Sequence, residues 1–218
     1  MNLNFDINTP TILCEIMGKN NSDKGNKNIT NSHHNYTTVY YSLFKELQTK
    51  RLRIFELGLG TNNINIPSNM GINGRPGASL YGWSEFFVNS EIYGADIDTN
   101  ILFNTDKIKT FYCDQTNPYS IKYMWSNSEL SENFDIIVED GLHTFNANVC
   151  FFENSIHKLK PNGYFIIEDI LISEKKLFDD KIKEWIIKYP ELLFKFIIIP
   201  SYTNNSDNNI ILIYKKGI

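Results

Sequence analysis

The sequence of 218 residues predicts an α/β fold: a Rossmann-like, doubly wound and mostly parallel sheet with an antiparallel C-terminal hairpin. Short buried runs alternate with helical segments, which is typical of parallel strands joined by right-handed crossovers. Glycines follow directly after the first of these runs, as they do where the chain turns tightly at the edge of such a sheet. The last two apolar runs are separated only by a polar turn, which predicts the hairpin. The length is near that of one ordinary domain, so we expect a single domain over residues 1–218.

The predicted elements follow in order along the chain. Apolar side chains at helical spacing predict a helix in residues 36–48, just before the first strand at 54–57. The segment ASLYGWSEFF predicts the next helix. Four further strands and three further helices are predicted, the strands over residues 91–96, 108–113, 134–139 and 163–168 and the helices over 117–126, 144–159 and 174–188. The runs LLFKFIIIP and NNIILIYKK form the hairpin.

Two long loops stand out between these elements. Residues 18–35 are polar, Asn-rich and almost free of aliphatic side chains, so we expect a mobile lid that becomes ordered over a ligand. Residues 61–78 contain several prolines and glycines, and a loop this long in a compact domain is more often functional than not. It is expected on the substrate side of the site. No internal repeat and no linker is visible.

Charge and cysteine content exclude several classes of protein. The net charge of −4 argues against a general nucleic-acid binder, which needs clustered positive charge. Cys14, Cys113 and Cys150 form neither a CxxC pair nor a disulfide framework, which favours a reducing compartment. The N-terminus lacks a secretory pattern, and no apolar stretch approaches the ~20 residues that span a bilayer. A cytoplasmic protein without a membrane span is expected. The sequence does not settle the oligomeric state, but an exposed terminal hairpin is compatible with a homo-oligomer.

The glycine turn after the first strand indicates the class of ligand. It runs from Glu56 through Gly58 to Gly60, but the third glycine of a dinucleotide fingerprint is replaced by Asn63. The Glu56 carboxylate would also repel a pyrophosphate. The turn therefore predicts a nucleoside-containing ligand without phosphate at this point, although glycines after a strand often only make turns.

The second and third strands end in side chains suited to a nucleoside. Asp96 lies well downstream of the glycine turn, where a carboxylate can accept both ribose hydroxyls. Asp114 and Gln115 follow the third strand, where an acceptor can meet an adenine amino group. Each of these residues alone is better explained as a helix cap or a solvated acid. Together with the glycine turn they favour a nucleoside pocket.

The fourth and fifth strands carry a second kind of signal. Asp140 follows one of them, with His143 three residues on, and Glu168 and Asp169 follow the other. Neighbouring strands lie ~4.8 Å apart, so three carboxylates would crowd one rim. Such carboxylates must take up protons or share a cation, and oxygen ligands favour Mg²⁺. The competing interpretation is that Asp140 and Asp169 cap the following helices.

Of the four histidines, His143 is the best candidate for a general base. Its ordinary pKa lies near neutral pH, and it stands in a glycine-containing turn beside a proposed metal ligand. The competing interpretation is a satisfied, partly buried histidine. His157 is expected on a solvated face, while His33 and His34 lie in the predicted lid and could reach over the site.

Taken together, these motifs resemble the class I S-adenosylmethionine-dependent methyltransferases. More narrowly, the chain resembles the metal-dependent sugar O-methyltransferases of the mycinamicin and novobiocin tailoring type. The resemblance covers about residues 21–171, in the segments SDKG, HHNYTTVYY, FELGLGTN, PGASLYGW, EIYGADID, FYCDQTNP, DIIVEDGLH and GYFIIEDI. The E-x-G-x-G turn is shared by the whole superfamily, whereas the SDKG…HNYT block and the D-x-x-H and E-D pairs are more specific.

The resemblance assigns roles to the strand ends. It implies that S-adenosylmethionine is the ligand without phosphate, bound by Glu56, Gly58, Gly60, Asp96, Asp114 and Gln115. It implies Mg²⁺ as a second cofactor, bound by Asp140, Glu168 and Asp169. It implies that His143 is the base, acting beside Asp140.

The implied reaction is methyl transfer to a hydroxyl of a small acceptor, expected to be a sugar or nucleotide-sugar. A short, Asn- and Lys-rich chain of this kind is expected to modify precursors of bacterial surface polysaccharide, such as capsule. Another small polar acceptor, phosphoryl-type or phenolic, is the nearest alternative. A non-catalytic nucleoside-binding module is a second alternative, in which the acidic rim would be structural. The chain is expected to differ from the family in two respects, the absence of the N-terminal domain of some macrolide enzymes and the INIPSNMGINGR insertion.

Overall fold

Seven strands form one mixed sheet in the computed structural model, which describes residues 3–25 and 34–217. In chain order the strands are β1 (Arg53–Leu57), β2 (Glu91–Asp96), β3 (Ile108–Tyr112), β4 (Phe134–Glu139), β5 (Leu159–Ile167), β6 (Leu192–Ile198) and β7 (Asn209–Lys215). Across the sheet the order is β3-β2-β1-β4-β5-β7-β6. Strands β1 to β5 pair in parallel, and β7 is antiparallel to both β5 and β6. This arrangement confirms the predicted fold class.

The two strands of the C-terminal hairpin lie in the sheet in the reverse of their order along the chain. Strand β7 lies beside β5, and β6 forms the outer edge, so the last strand of the chain is an inner one. The burial pattern agrees, because the first five residues of β7 are all buried. The sequence predicts the hairpin but not which of its strands pairs with the parallel part. Self-association through this hairpin stays a prediction.

Six α-helices accompany the sheet within the described residues: α1 (Ile12–Lys19), α2 (Tyr36–Phe44), α3 (Ala78–Phe86), α4 (Pro118–Trp125), α5 (Phe145–Ser155) and α6 (Lys175–Lys188). Short 3-10 turns occur at Lys45–Leu47, Thr99–Ile101, Ser128–Leu130, Ile156–Lys158 and Ile172–Glu174. Five of these α-helices match the five predicted helices. The last residues of two predicted helices form 3-10 turns instead, at Lys45–Leu47 and Ile156–Lys158. In residues 3–25 and 34–217 no helix combines the length and apolar character needed to cross a bilayer.

Helix α1 lies in a segment for which the pattern predicts no element. The Thr11 hydroxyl caps it by accepting a hydrogen bond from the Cys14 amide, and Leu13 and Met17 are fully buried. The helix takes in Gly18 and Lys19, the first two residues of the predicted lid. Residues 26–33, with His33, lie outside the described residues. Mobility of the segment therefore stays a prediction.

Both faces of the sheet are covered, as expected for buried parallel strands. Side chains alternate along β1, so Phe55 faces one layer and Ile54 the other. Helices α4, α5 and α6 pack on the Phe55 side, and α1, α2 and α3 pack on the Ile54 side. The carboxyl ends of β1, β2, β4 and β5 lie level, because Leu57 pairs with Ala95 and Glu139, and Glu139 pairs with Ile167. The residues after these strands therefore meet at one edge.

Candidate active site

A cavity of about 510 Å³ opens at this edge of the sheet. Its walls come from the glycine turn after β1, the residues that follow β2, β3, β4 and β5, and part of the loop before α3. The volume suits a ligand of drug or cofactor size. The loop contributes its residues 66–70, so part of the predicted substrate-side loop does border the cavity.

The glycine turn approaches the chain after β4 too closely for a side chain. Gly58 has a φ of 89°, and a Cβ atom built there would lie 1.8 Å from the carbonyl oxygen of Asp140. Gly60 has a φ of 73°, and its Cβ would lie 2.1 Å from the Met70 sulfur. Both conformations belong to the left-handed region that favours glycine. The turn is therefore pressed against the segment that carries the acidic rim.

Glu56 lies under the cavity rather than in its wall. Its side chain is fully buried and accepts hydrogen bonds from the Ser79 hydroxyl and, at 2.5 Å, from the Trp83 indole nitrogen. Burial raises the pKa of this carboxyl, against the attraction of Lys24, whose ammonium lies 3.8 Å away. The predicted direct contact of Glu56 with a cofactor stays untested. The contacts described here make it part of the floor of the site.

Asp96 lines the cavity and also holds the turn beside it. Its two carboxylate oxygens accept hydrogen bonds from the amides of Leu59, at 2.7 Å, and Asp98, at 2.8 Å. Burial raises its pKa, and the backbone amides oppose that change. Each carboxylate oxygen has a second lone pair, so both can still accept a hydroxyl. The position is compatible with the predicted ribose contact.

Asp114 and Gln115 line the cavity on the β3 side. The Gln115 amide nitrogen donates to Glu139 at 2.9 Å, and its amide oxygen accepts from the backbone of Leu142 at 2.6 Å. Gln115 is therefore a brace between the end of β3 and the loop after β4. Asp114 instead accepts bonds from its neighbour Thr116 at the mouth. Of the pair, Asp114 has more capacity left to meet an adenine amino group.

The acidic rim gathers Asp140, His143 and Asp169. The His143 ring places Nε2 at 3.0 Å from Asp140 Oδ1 and Nδ1 at 3.4 Å from Asp169 Oδ2. Both His143 and Asp169 adopt positive φ values, 58° and 54°, which are costly for non-glycine residues and common at functional sites. One ligand atom from each of the three residues lies within 4.8 Å of the others. The two carboxylates of this group are ligands of the type that a divalent cation such as Mg²⁺ prefers.

The charges of the rim control the protonation of His143. Burial lowers its pKa, but the hydrogen bond with Asp140 and the charges of Asp169 and Asp140 outweigh burial and raise the pKa to about 10. For Asp140, burial acts to raise the pKa, but the positive charges of Lys24 and His143 outweigh burial and hold this pKa well below its usual range. His143 is thus paired on both ring nitrogens, and its role as a base stays a prediction.

Glu168 does not join this group, although it is adjacent in sequence to Asp169. Its carboxylate is fully buried and accepts hydrogen bonds from the Tyr40 hydroxyl and the Lys24 ammonium. Lys24 also donates to Asp140 Oδ2. Burial lowers the pKa of Lys24, but the attraction of Asp140, Glu168 and Glu56 raises it well above its usual range. Of the three predicted Mg²⁺ ligands, Asp140 and Asp169 therefore line the cavity, whereas Glu168 is buried against Lys24.

Residues before and within α2 complete the rim, and the sequence did not single out most of them. The Tyr36 hydroxyl donates to Asp169 Oδ1 at 2.5 Å, and His34 Nδ1 lies 3.4 Å from the same oxygen. Tyr36 and Tyr40 are four residues apart, so they project from one face of α2. In the sequence, these residues could have been identified from two segments of the family resemblance: HHNYTTVYY, which contains Tyr36 and Tyr40, and SDKG, which contains Lys24. His157 is exposed on a 3-10 turn, as predicted.

No family model matches the chain. Over 140 residues it is 26% identical to the 8-demethyl-8-alpha-L-rhamnosyl tetracenomycin-C 2'-O-methyltransferase of Streptomyces olivaceus, a match that covers 64% of this chain and 34% of that protein. Over another 140-residue match it is 29% identical to the demethylmacrocin O-methyltransferase of Streptomyces fradiae, covering 63% of this chain and 32% of that protein. The chain thus matches about a third of the length of these curated relatives.

Among solved structures, the MycE methyltransferase of mycinamycin biosynthesis, in complex with Mg, SAH and mycinamycin VI, has a TM-score of 0.70 to this chain. The match covers 96% of this chain and 57% of that one at 19% identity, which shows a shared fold. The chain is therefore similar in sequence to these O-methyltransferases and shares the fold of the MycE methyltransferase, which confirms the resemblance carried by its motifs.

Proposed function

We propose that the chain is an S-adenosylmethionine-dependent O-methyltransferase that uses a divalent cation, with Mg²⁺ the expected ion, to act on a hydroxyl of a sugar. The observation that carries the proposal is one cavity with two chemically different ends. The glycine turn and Asp96 border one end, and Asp140, His143 and Asp169 border the other. The names of the relatives support this proposal, since they are sugar O-methyltransferases, and the related MycE structure contains Mg and SAH.

The end of the cavity near β2 and β3 suits the methyl donor. Asp96 and Asp114 present carboxylates there. An acidic wall disfavours phosphates and favours a cationic ligand. S-adenosylmethionine, with its sulfonium and ammonium charges, would supply an activated methyl group at this point. Positioning of donor and acceptor then contributes most to the transfer.

The rim near β4 and β5 suits the acceptor. Asp140 and Asp169 would hold the cation from the cavity side, and Glu168 would be the third ligand once Lys24 no longer occupies it. A bound divalent cation would orient the acceptor and lower the pKa of its hydroxyl. His143 is the proposed base, and its ring is held in place by both carboxylates. A general base acts in its neutral form, so turnover is expected to rise with pH.

The acceptor is the finer part of the proposal. A sugar or nucleotide-sugar is favoured, and a precursor of bacterial surface polysaccharide, such as capsule, is the proposed context. Residues 66–70 of the loop before α3 border the cavity and would contact the acceptor or the methyl donor. Loop side chains commonly set the specificity of a site whose scaffold is rigid.

A panel of sugars and sugar nucleotides tests the proposal. Each compound is incubated with the protein, S-adenosylmethionine and Mg²⁺, and mass spectrometry records the gain of one methylene; a parallel series contains chelator. Calorimetry with S-adenosylhomocysteine measures the methyl-donor site separately. Methylation that needs Mg²⁺ is expected. Cofactor binding without methylation of any sugar, phosphoryl-type or phenolic compound would instead favour a nucleoside-binding module, and absence of cofactor binding would refute both.

A further inference from the structure

Lys24 is the most unusual charged residue of this site. Its side chain is only 2% exposed, and lysine is almost never buried to that extent unless it is paired. The ammonium contacts Asp140 and Glu168 and lies 3.8 Å from Glu56, so it joins acids that follow or end three different strands. Crowded carboxylates must share a cation or take up protons. Here the shared cation is part of the chain.

The position of the ammonium conflicts with that of a metal ion held by the predicted ligands. An ion bridging Asp140 and Glu168 would need carboxylate oxygens from both, and Lys24 already donates to Asp140 Oδ2 and Glu168 Oε2. Two cations cannot bind the same oxygens at contact distance without strong repulsion. We propose that Lys24 is a tethered counter-ion that competes with the divalent cation for Asp140 and Glu168, so that cation binding displaces the Lys24 side chain. The inference rests on the divalent-cation part of the proposed function.

The tether of Lys24 connects this competition to the wall of the cavity. Its carbonyl oxygen accepts a hydrogen bond from the Thr37 amide of α2, and its amide donates to the Ser22 hydroxyl. Ser22 and Asp23, just before it, line the cavity. The same short turn therefore carries the counter-ion and part of the wall. Occupancy of the rim is expected to change the packing of residues 22–24.

Replacement of Lys24 by methionine tests the competition. Met fills a similar volume without the charge, so the variant frees Asp140 and Glu168 for a divalent ion. We expect Mn²⁺, measured by electron paramagnetic resonance in the absence of methyl donor, to bind about tenfold tighter or more, which equals about 1.4 kcal/mol. Lys19→Met is the matched control, because Lys19 is 72% exposed and pairs only with Glu85 among the ion pairs described. Equal or weaker Mn²⁺ binding in Lys24→Met would overturn the proposal.

A second measurement uses the unaltered protein and does not depend on the folding of a variant. Lysines are acetylated briefly with and without saturating Mn²⁺, and the modified positions are read by mass spectrometry. Lys24 should be protected without the ion and modified with it, while Lys19 is modified in both samples. Protection of Lys24 in both samples, with Mn²⁺ shown to be bound, would contradict displacement. Mg²⁺-dependent methylation in the acceptor panel combined with either negative result would reject only the competition and leave the proposed function intact.

Discussion

Substitution of Gly58 by alanine tests whether the glycine turn after β1 is in close contact with the chain after β4, which carries the acidic rim. The added Cβ would lie 1.8 Å from the Asp140 carbonyl oxygen, well inside contact distance. Relaxation is restricted on both sides, because the Gly58 amide donates to Ala95 at 2.8 Å and the Asp140 amide donates to Leu57 at 2.9 Å. The methyl group must therefore push apart β1 and the chain after β4.

The cost has two parts. A non-glycine residue at a φ of 89° costs about 1–2 kcal/mol, and an overpacked contact costs about 1–3 kcal/mol. We expect Gly58→Ala to lower the free energy of unfolding by about 2–5 kcal/mol, measured by urea denaturation. Binding of S-adenosylhomocysteine and Mn²⁺ should both weaken, since the displaced segment carries Asp140.

Gly71→Ala is the matched control for this experiment. Gly71 also has a positive φ, 71°, but a Cβ built there has no neighbour within 4 Å. Only the conformational part remains, so we expect a loss of about 1–2 kcal/mol and unchanged ligand binding. Equal losses in the two variants, within about 0.5 kcal/mol, would refute the close contact between the glycine turn and the rim.

Three further predictions concern the two ends of the cavity. Asp96→Ala should weaken S-adenosylhomocysteine binding by about 1.5–3 kcal/mol in calorimetry, because a charged hydrogen-bond acceptor is lost, and unchanged affinity would remove Asp96 from the methyl-donor site. Chelation of divalent ions should abolish methyl transfer and spare cofactor binding. Asp140→Asn should have the same effect, with partial rescue by excess Mg²⁺. Full activity in the presence of chelator would contradict the proposed metal site. His143→Ala should lower turnover by about 10²–10⁴ with cofactor affinity nearly intact, whereas His157→Ala, an exposed control, should not. Wild-type turnover in His143→Ala would show that another group takes the proton.

Much of the fold was predictable because its signals are local. A buried parallel strand reads as a short apolar run, and a helix reads as apolar side chains at intervals of three and four, so β1 to β4 were located to within a residue at each end. Helix α1 was missed because it has only 8 residues, too few to show a repeated helical spacing. The hairpin was recognised from its turn, but the position of β7 beside β5 depends on pairing with a distant strand.

The acidic rim shows what the sequence by itself determined about this protein. Parallel strands bring their carboxyl ends to one edge, so Asp96, Asp140 and Asp169 had to lie near a common cavity once the strands were assigned. The glycines after β1 had to be there for the chain to turn at that edge. These conclusions need only the periodicity of the strands and the rule of parallel topology.

The partners of each side chain were decided only by the tertiary structure. Glu168 and Asp169 are adjacent, yet Glu168 contacts Lys24 and Tyr40 while Asp169 contacts His143 and Tyr36. Lys24 is separated from Asp140 by 116 residues and from Glu168 by 144. No local pattern encodes a contact at such separation, because it depends on how α2 and the turn before it pack on the sheet. The cation of the rim was therefore visible in the sequence only as one lysine among many, and packing made it the counter-ion of the site.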